Sequence, residues 1–250
     1  MTQKPVCLTI AGLDPSGGAG VIADVRTFDA FGCFPTAAIT SVTFQNTTGV
    51  FGATHLSAED VRQQIEPVLD DFLVAAVKTG MLPTREIIEV VADIIRERDL
   101  KNMVVDPVVR STSGYDLIDN AALRVLVEQL FPLADLITPN IPEAERITGV
   151  AFESIDDIRA AADIMHEMGA RNVLIKGGHF ANEQRAVDWL FSSDREMQGF
   201  DSEFFDTTAT HGTGCTLASA IAANLALGNN LADAVAAAKE FVTNSIRTAP

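Results

Sequence analysis

The segment His211-Gly212-Thr213-Gly214-Cys215 puts a thiol among flexible residues just where an Ala- and Leu-rich stretch, Thr213 to Leu227, begins. That stretch reads as a buried helix, so the amides of Gly212 to Cys215 lie at a helix N-terminus and carry partial positive charge. Such a hole suits the charge that builds on a migrating phosphoryl group. The same amides are expected to lower the Cys215 pKa and make the thiol an acceptor for a hydroxyl proton. A Gly-rich N-cap with a small buried cysteine is the purely structural alternative.

Four further segments carry chemistry of the same kind. Gly12-Leu13-Asp14-Pro15-Ser16-Gly17-Gly18-Ala19-Gly20 follows a strand-like run and precedes a helix containing Ala23 and Asp24. Its glycines let backbone approach a ligand closely. It is not a P-loop, because Gly18 and Ala19 stand where Lys and Ser or Thr are required, and no acidic residue closes the next strand as a dinucleotide fingerprint demands. Lys176, ahead of Gly177-Gly178-His179, can reach phosphate oxygens, and Asp188 lies on the next strand. Asp106 and Glu143 are acids at strand ends, suited to hydrated Mg²⁺, although Glu143 after Pro142 also fits the first turn of a helix for structural reasons. Gln45 can offer a donor and an acceptor side by side to a heteroaromatic ring, and Lys78-Thr79-Gly80-Met81 ends another strand with residues suited to a pocket wall.

The elements that must position these residues alternate along the chain. Strand-like runs are Val6 to Ile10, Ala37 to Val42, Ala75 to Thr79, Met103 to Asp106, Asp135 to Thr138, Val173 to Lys176 and Ala186 to Phe191. Between them lie stretches of helical spacing, such as Leu123, Leu126, Val127 and Leu130, or Ile155, Ile158, Ala162 and Met165. This order predicts a parallel α/β sheet, covered on both faces because its strands lack polar alternation. Ser57 with Asp60 and Ser154 with Asp157 mark helix starts; Gly149, Gly169 and Gly228 mark stops. No linker divides the chain, so residues 1–250 are expected to form a single domain. In open α/β sheets ligands bind beyond the carboxyl ends of the strands, so the motifs placed just after strands are the ones to weigh.

Composition narrows the partners. A formal charge of −16 argues against nucleic acid and anionic membrane. It also means that a bound nucleotide must find positive potential in amides, a few lysines and a metal ion. No apolar run is long enough to span a bilayer, and Cys7, Cys33 and Cys215 are too few and too scattered for a disulfide framework or zinc site, which predicts a cytoplasmic protein.

Taken in order, the motifs resemble the ribokinase-like superfamily, and within it the hydroxymethylpyrimidine/phosphomethylpyrimidine kinases of thiamine biosynthesis. The likeness rests on Thr9-Ile10-Ala11-Gly12, Asp14 to Gly20, Ala23-Asp24, Gln45-Asn46-Thr47, Lys78 to Leu82, Asp106-Pro107-Val108, Thr138-Pro139-Asn140 with Pro142-Glu143-Ala144, Lys176 to His179, and His211 to Leu217. It implies a three-layer α/β/α fold, with a mostly parallel central sheet, that uses ATP and Mg²⁺ and works as a homodimer. It further implies acceptor binding by Gly12, Asp14, Ala19, Asp24, Gln45, Met81 and Val108, and nucleotide binding by Lys176, Gly178, Asp188, Thr210, His211, Gly212, Gly214 and Lys239. Catalysis then falls to Cys215 as base, with Lys176, Gly212, Thr213 and Gly214, and metal support to Asp106 and Glu143. Pyridoxal or pyridoxine kinase of the same superfamily is the alternative activity. Arg110 departs from the family, which usually has a small apolar residue there.

Overall fold

The computed structural model describes residues 4–248 apart from 47, 111–113, 115, 178–184, 206 and 208–210. Along the chain come β1 (Val6–Leu13), α1 (Gly20–Ala30), β2 (Phe34–Asn46), β3 (Gly49–His55), α2 (Ala58–Asp71), β4 (Val74–Thr79), α3 (Arg85–Glu97), β5 (Met103–Val105) and α4 (Asn120–Leu130). These are followed by β6 (Leu136–Ile137), α5 (Ile141–Thr148), α6 (Ile155–Glu167), β7 (Val173–Lys176), β8 (Arg185–Phe191), β9 (Met197–Glu203), α7 (Thr213–Ala226) and α8 (Leu231–Arg247). All the strands join one sheet, in the order β3-β2-β1-β4-β5-β6-β7-β8-β9.

The six strands from β2 to β7 in that spatial order run parallel, and the flanking β3, β8 and β9 are joined to the sheet by antiparallel pairing. Alternation along each parallel strand divides the core in two. Cys7, Ala76, Val104, Leu136 and Leu174 pack toward α1, α7 and α8, while Leu8, Val77, Val105, Ile137 and Ile175 pack toward α2 to α6. Because both faces are covered, β1 is buried along almost its whole length, and the sequence shows the continuous apolar run expected of such a strand. The result is the three-layer α/β/α arrangement.

Three sheet features differ from the sequence expectation. Ala186 to Phe191, read as part of the parallel alternation, belongs to β8 and runs antiparallel to β7, because too few residues separate the two for a helical crossover. Strand β2 extends well past Val42 and turns directly into β3, which the sequence reading passed over because Gly49 and Gly52 weaken its strand signal. Acidic, Gly-containing β9 was missed for the same reason.

Helix boundaries follow their chemistry closely. Ser57 with Asp60, Ser154 with Asp157 and Asn140 with Glu143 form reciprocal capping boxes on α2, α6 and α5. Gly149, Gly169 and Gly228 all take the left-handed conformation at helix ends. Thr84, Asp119 and Asn230 cap α3, α4 and α8. Only α1 and α7, of the helices within the described residues, start without a capping side chain, and neither has an acidic residue in its first turn.

Candidate active site

Those two bare N-termini open onto the same place. A cavity of about 440 Å³ lies beyond the carboxyl ends of the parallel strands and is lined by Ala19 and Gly20 at the start of α1 and by Gly212 to Cys215 at the start of α7. Elsewhere in the chain a side chain satisfies the first-turn amides. At these two starts no side chain does so, the arrangement that favours a bound anion.

Glycine is what allows the two termini to meet. Gly212 has φ 77°, and a Cβ there would lie 1.8 Å from the Gly18 carbonyl oxygen. Gly20 has φ 58°, and a Cβ would lie 2.2 Å from the Gly12 carbonyl oxygen. A side chain at Gly212 pushes the loop after β1 away from the start of α7, and one at Gly20 pushes the start of α1 away from the end of β1.

At the floor between these termini, Lys176 ends β7 with its Nζ donating to Asp106 Oδ1 at 2.8 Å and lying 3.9 Å from Glu143 Oε2. Gly214 lies directly beside that ammonium, since a Cβ there would be 3.2 Å from Lys176 Nζ. Burial works against the Lys176 charge, but Asp106 and Glu143 outweigh it and hold the pKa above the usual lysine value. Glu143 accepts from the Asn140 amide at 2.8 Å as part of the α5 capping box, and also from the Val109 amide at 3.4 Å. Desolvation pushes its carboxyl up to about 7, with the nearby Asp106 charge adding to the rise and Lys176 opposing it. Asp106 also accepts from the Thr138 hydroxyl at 3.1 Å. The described residues contain no group of three or more acidic, His or Cys side chains able to hold a metal by themselves. Asp106 and Glu143 instead suit an ion that brings most of its ligands as water and phosphate oxygens.

Cys215 lines the cavity one turn into α7 and is partly exposed. Its thiol pKa is raised rather than lowered, which corrects the sequence expectation. Burial is the largest influence, Lys78 opposes it, Asp24 and Asp106 add to it, and the Gly20 amide at the sulfur offsets a further part. The helix dipole therefore loses to desolvation here.

Asp24, expected among the acceptor-binding residues, does not line the cavity. It is fully buried beneath the floor, where its carboxylate accepts from Thr9 Oγ1 at 2.6 Å, Ser219 Oγ at 2.6 Å and Lys78 Nζ at 2.8 Å. The other residues expected to bind the acceptor, Gly12, Asp14, Ala19, Gln45, Met81 and Val108, do line the cavity. His211, expected to meet the nucleotide, places its Nε2 2.8 Å from Asp14 Oδ2 and 3.4 Å from Gln45 Nε2, among the acceptor residues. Burial opposes the Asp14 charge, yet hydrogen bonds from His211, Ser16 and the Ala19 amide hold its carboxyl below the usual range.

At the opposite end, Lys239 on α8 donates to Asp188 Oδ2 at 2.7 Å, and the Gly177 amide donates to Asp188 Oδ1 at 3.2 Å. The β7–β8 register sets Asp188 beside Lys176 and so links this pair to the central cluster. Gly178 and Thr210, also assigned to the nucleotide, lie outside the described residues. Sequence reasoning missed the α8 face formed by Val242, Thr243 and Ile246, which lines the cavity with Lys239. The spacing from Lys239 was the available signal, since residues three, four and seven positions on share one helix face. It also gave no individual role to Lys78, whose burial and charge are invisible in the sequence. Arg110 lines the cavity and donates to Asp116 at 2.9 Å.

Comparison with known proteins adds an independent line. The family model described as phosphomethylpyrimidine kinase matches residues 14–250. The chain belongs to the phosphomethylpyrimidine kinase family. It is 45% identical to the hydroxymethylpyrimidine/phosphomethylpyrimidine kinase of Haemophilus influenzae over 98% of this chain and 92% of that one. The crystal structure of phosphomethylpyrimidine kinase from Clostridium difficile superposes with a TM-score of 0.85 at 42% identity, covering 97% of this chain and all of that one. An ADP complex of Bacillus subtilis pyridoxal kinase gives a TM-score of 0.89 at 38% identity, covering 98% and 93%. With these likenesses the fold is ribokinase-like.

Two outcomes follow for this kinase. Gly212→Ala should cut kcat by roughly tenfold or more while the protein stays folded, because the added methyl separates the two N-termini that face the transferred group; near-native kcat in that variant would contradict the anion-hole assignment. For Glu143 the folded pKa of about 7 exceeds the ordinary carboxyl value, so its ionisation costs stability that is lost as pH rises through that window. Thermal melts between pH 5 and 8 should show the native chain losing ground to Glu143→Gln as pH rises, and parallel melting curves would refute the buried, elevated carboxyl.

Proposed function

We propose that the protein transfers the γ-phosphoryl group of ATP to the hydroxymethyl group of 4-amino-5-hydroxymethyl-2-methylpyrimidine and then to the resulting monophosphate, forming the diphosphate used in thiamine biosynthesis. The observation that carries this reading is the uncapped start of α7, with Cys215 and Lys176 beside it, between an acceptor pocket at Gln45 and Met81 and the Asp188–Lys239 pair. The names of the relatives favour this acceptor over pyridoxal.

In this reading Gln45, with its Oε1 fixed by the Thr43 hydroxyl at 2.8 Å, presents its amide to the pyrimidine edge, and Met81 packs against the ring. The ring places its CH₂OH near Cys215, which takes the hydroxyl proton as the oxygen attacks phosphorus in line. The amides of Gly212 to Cys215 and the Lys176 ammonium meet the charge spread over the equatorial oxygens. Lys239, held by Asp188, flanks the nucleotide. Asp106 and Glu143 would hold a hydrated Mg²⁺ at the phosphates, which would supply neutralisation of phosphate charge. The single kinase domain is placed in the cytoplasm.

A second copy of the chain completes the proposal. The β2–β3 hairpin leaves Val42, Phe44 and Phe51 exposed, Phe51 at 71%, next to an unpaired sheet edge. Such an edge is normally covered or charged, and a symmetric partner covers it. Light scattering should give twice the chain mass for the native protein and a smaller value for Phe44→Glu/Phe51→Glu; a native monomer would remove the homodimer.

The activity is tested by ADP release with hydroxymethylpyrimidine, its monophosphate and pyridoxal. The pyrimidine is expected to exceed pyridoxal in kcat/KM, and the reverse order would make the protein a pyridoxal kinase. Cys215→Ala should lose roughly 10²-fold or more in kcat on the alcohol acceptor with little change in KM, and an unchanged kcat would take Cys215 out of the mechanism.

A further inference from the structure

The floor under Cys215 holds an ion pair that the phosphoryl-transfer machinery does not use directly. Lys78 on β4 and Asp24 on α1 are both fully buried, with Nζ to Oδ2 at 2.8 Å and to Oδ1 at 3.0 Å. Asp24 is fixed from two more elements, by Thr9 on β1 and by Ser219, which lies one helical turn beyond Cys215 on α7. Lys78 is packed tightly against the strand end: a Cβ on Gly80 would lie 2.8 Å from its Nζ. Both Lys78 and Cys215 line the cavity.

A buried pair of this kind adds little net stability compared with apolar residues of the same size, because desolvating both charges costs about what their attraction returns. Its value has to be sought in what else the ammonium faces. We propose that Lys78 is a positioning residue that stabilises Cys215 as the thiolate, and that Asp24 anchors Lys78 at that station. Asp24 lies one turn beyond Gly20 on α1 and its partner Ser219 one turn beyond Cys215 on α7, so the ion pair sits one turn below the place where the two helix starts meet. The charges that act on the sulfur are those of Lys78, Asp24, Asp106 and Lys176. Among them Lys78 is the strongest influence opposing burial of the thiolate. Its own charge is secure, because Asp24, Cys215 and Asp106 together outweigh the burial that would otherwise remove its proton.

The proposal rests on Cys215 being the proton acceptor, and it deepens that reading. The thiolate takes the proton from the attacking CH₂OH as the new O–P bond forms and the bond from phosphorus to the ADP oxygen breaks. The thiol then returns the proton to solvent after product leaves. The monophosphate acceptor needs no such transfer, because a phosphate monoester with a second pKa near about 6 already attacks as an anion at neutral pH.

The test titrates the thiol in the nucleotide-free enzyme, following iodoacetamide alkylation of the Cys215 peptide by mass spectrometry against pH. Lys78→Met should raise the midpoint by about one unit, equivalent to roughly tenfold slower alkylation at a fixed pH below it. Lys78→Arg, which keeps the charge, should return it toward the native value. Turnover of Lys78→Met should fall in kcat on the alcohol with KM little changed, while the monophosphate acceptor is largely spared. A raised midpoint in Lys78→Met that Lys78→Arg reverses supports the proposal; no movement, or a lowered midpoint, overturns it. If Lys78→Met does not fold, Lys78→Gln, which keeps a hydrogen bond to Asp24, decides: a raised midpoint supports the idea and any other result sinks it. Full alcohol turnover in Cys215→Ala defeats the proton-acceptor reading instead, while the titration still reports whether Lys78 stabilises the thiolate.

Discussion

The structure turns on the near-contact of two helix N-termini. With a Cβ site on Gly212 only 1.8 Å from the Gly18 carbonyl, the start of α7 and the loop that leads into α1 converge at the limit that backbone allows, and a Cβ site on Gly20 only 2.2 Å from the Gly12 carbonyl holds the start of α1 equally close to the end of β1. An acidic chain of net charge −16 has few cations to spend on a polyanion. Neutral backbone dipoles provide the positive potential in their place, and they do so without adding side-chain charge. The capping residues of the other six helices show the cost of ordinary practice: a serine or acid at these two positions would occupy the amides that a phosphoryl group requires.

The side-chain charges of the cavity are almost balanced before any ligand arrives. Lys176 is matched to Asp106 and Glu143, Lys239 to Asp188, and Lys78 to Asp24. A triphosphate that engages Lys176 competes directly with Asp106 for the ammonium. What it displaces is carboxylate density beside the phosphates, and a divalent ion is the natural counterweight to that. The elevated Glu143 carboxyl fits the same balance, because with Asp106 so near, a second buried negative charge is the harder one to keep.

Much of this was legible in the sequence, for identifiable reasons. Capping boxes at Ser57 and Ser154 and stops at Gly149, Gly169 and Gly228 are local chemistry, and local chemistry survives folding. The parallel strands announced themselves through burial on both faces. Strands β3 and β9 did not, since pairing rather than propensity holds them, and the direction of β8 depended on connection length rather than on its own residues. In the site, residues at strand ends and helix starts were placed by motif order. Asp24 was misplaced because the sequence cannot say which face of α1 points inward to Lys78. The Cys215 expectation erred in direction: the amides are where they were expected, but desolvation of the thiol, which the sequence does not show, raises its pKa where the helix start alone would lower it.

That error carries a physical lesson about one site serving two acceptors. The anion hole is made of amides whose dipoles do not titrate, so it acts alike whether the nucleophile is an alcohol or a phosphate oxygen. Proton removal is different, because only the alcohol requires it. Placing that duty on a half-buried thiol, with its charge set from beneath by a lysine on another element, separates the two demands in space. In the proposed mechanism the hole belongs to the backbone at the start of α7, while Lys78 of the β4–α1 ion pair under the floor opposes the burial that raises the Cys215 pKa. A change in one therefore need not disturb the other, even though both meet within one turn of α7.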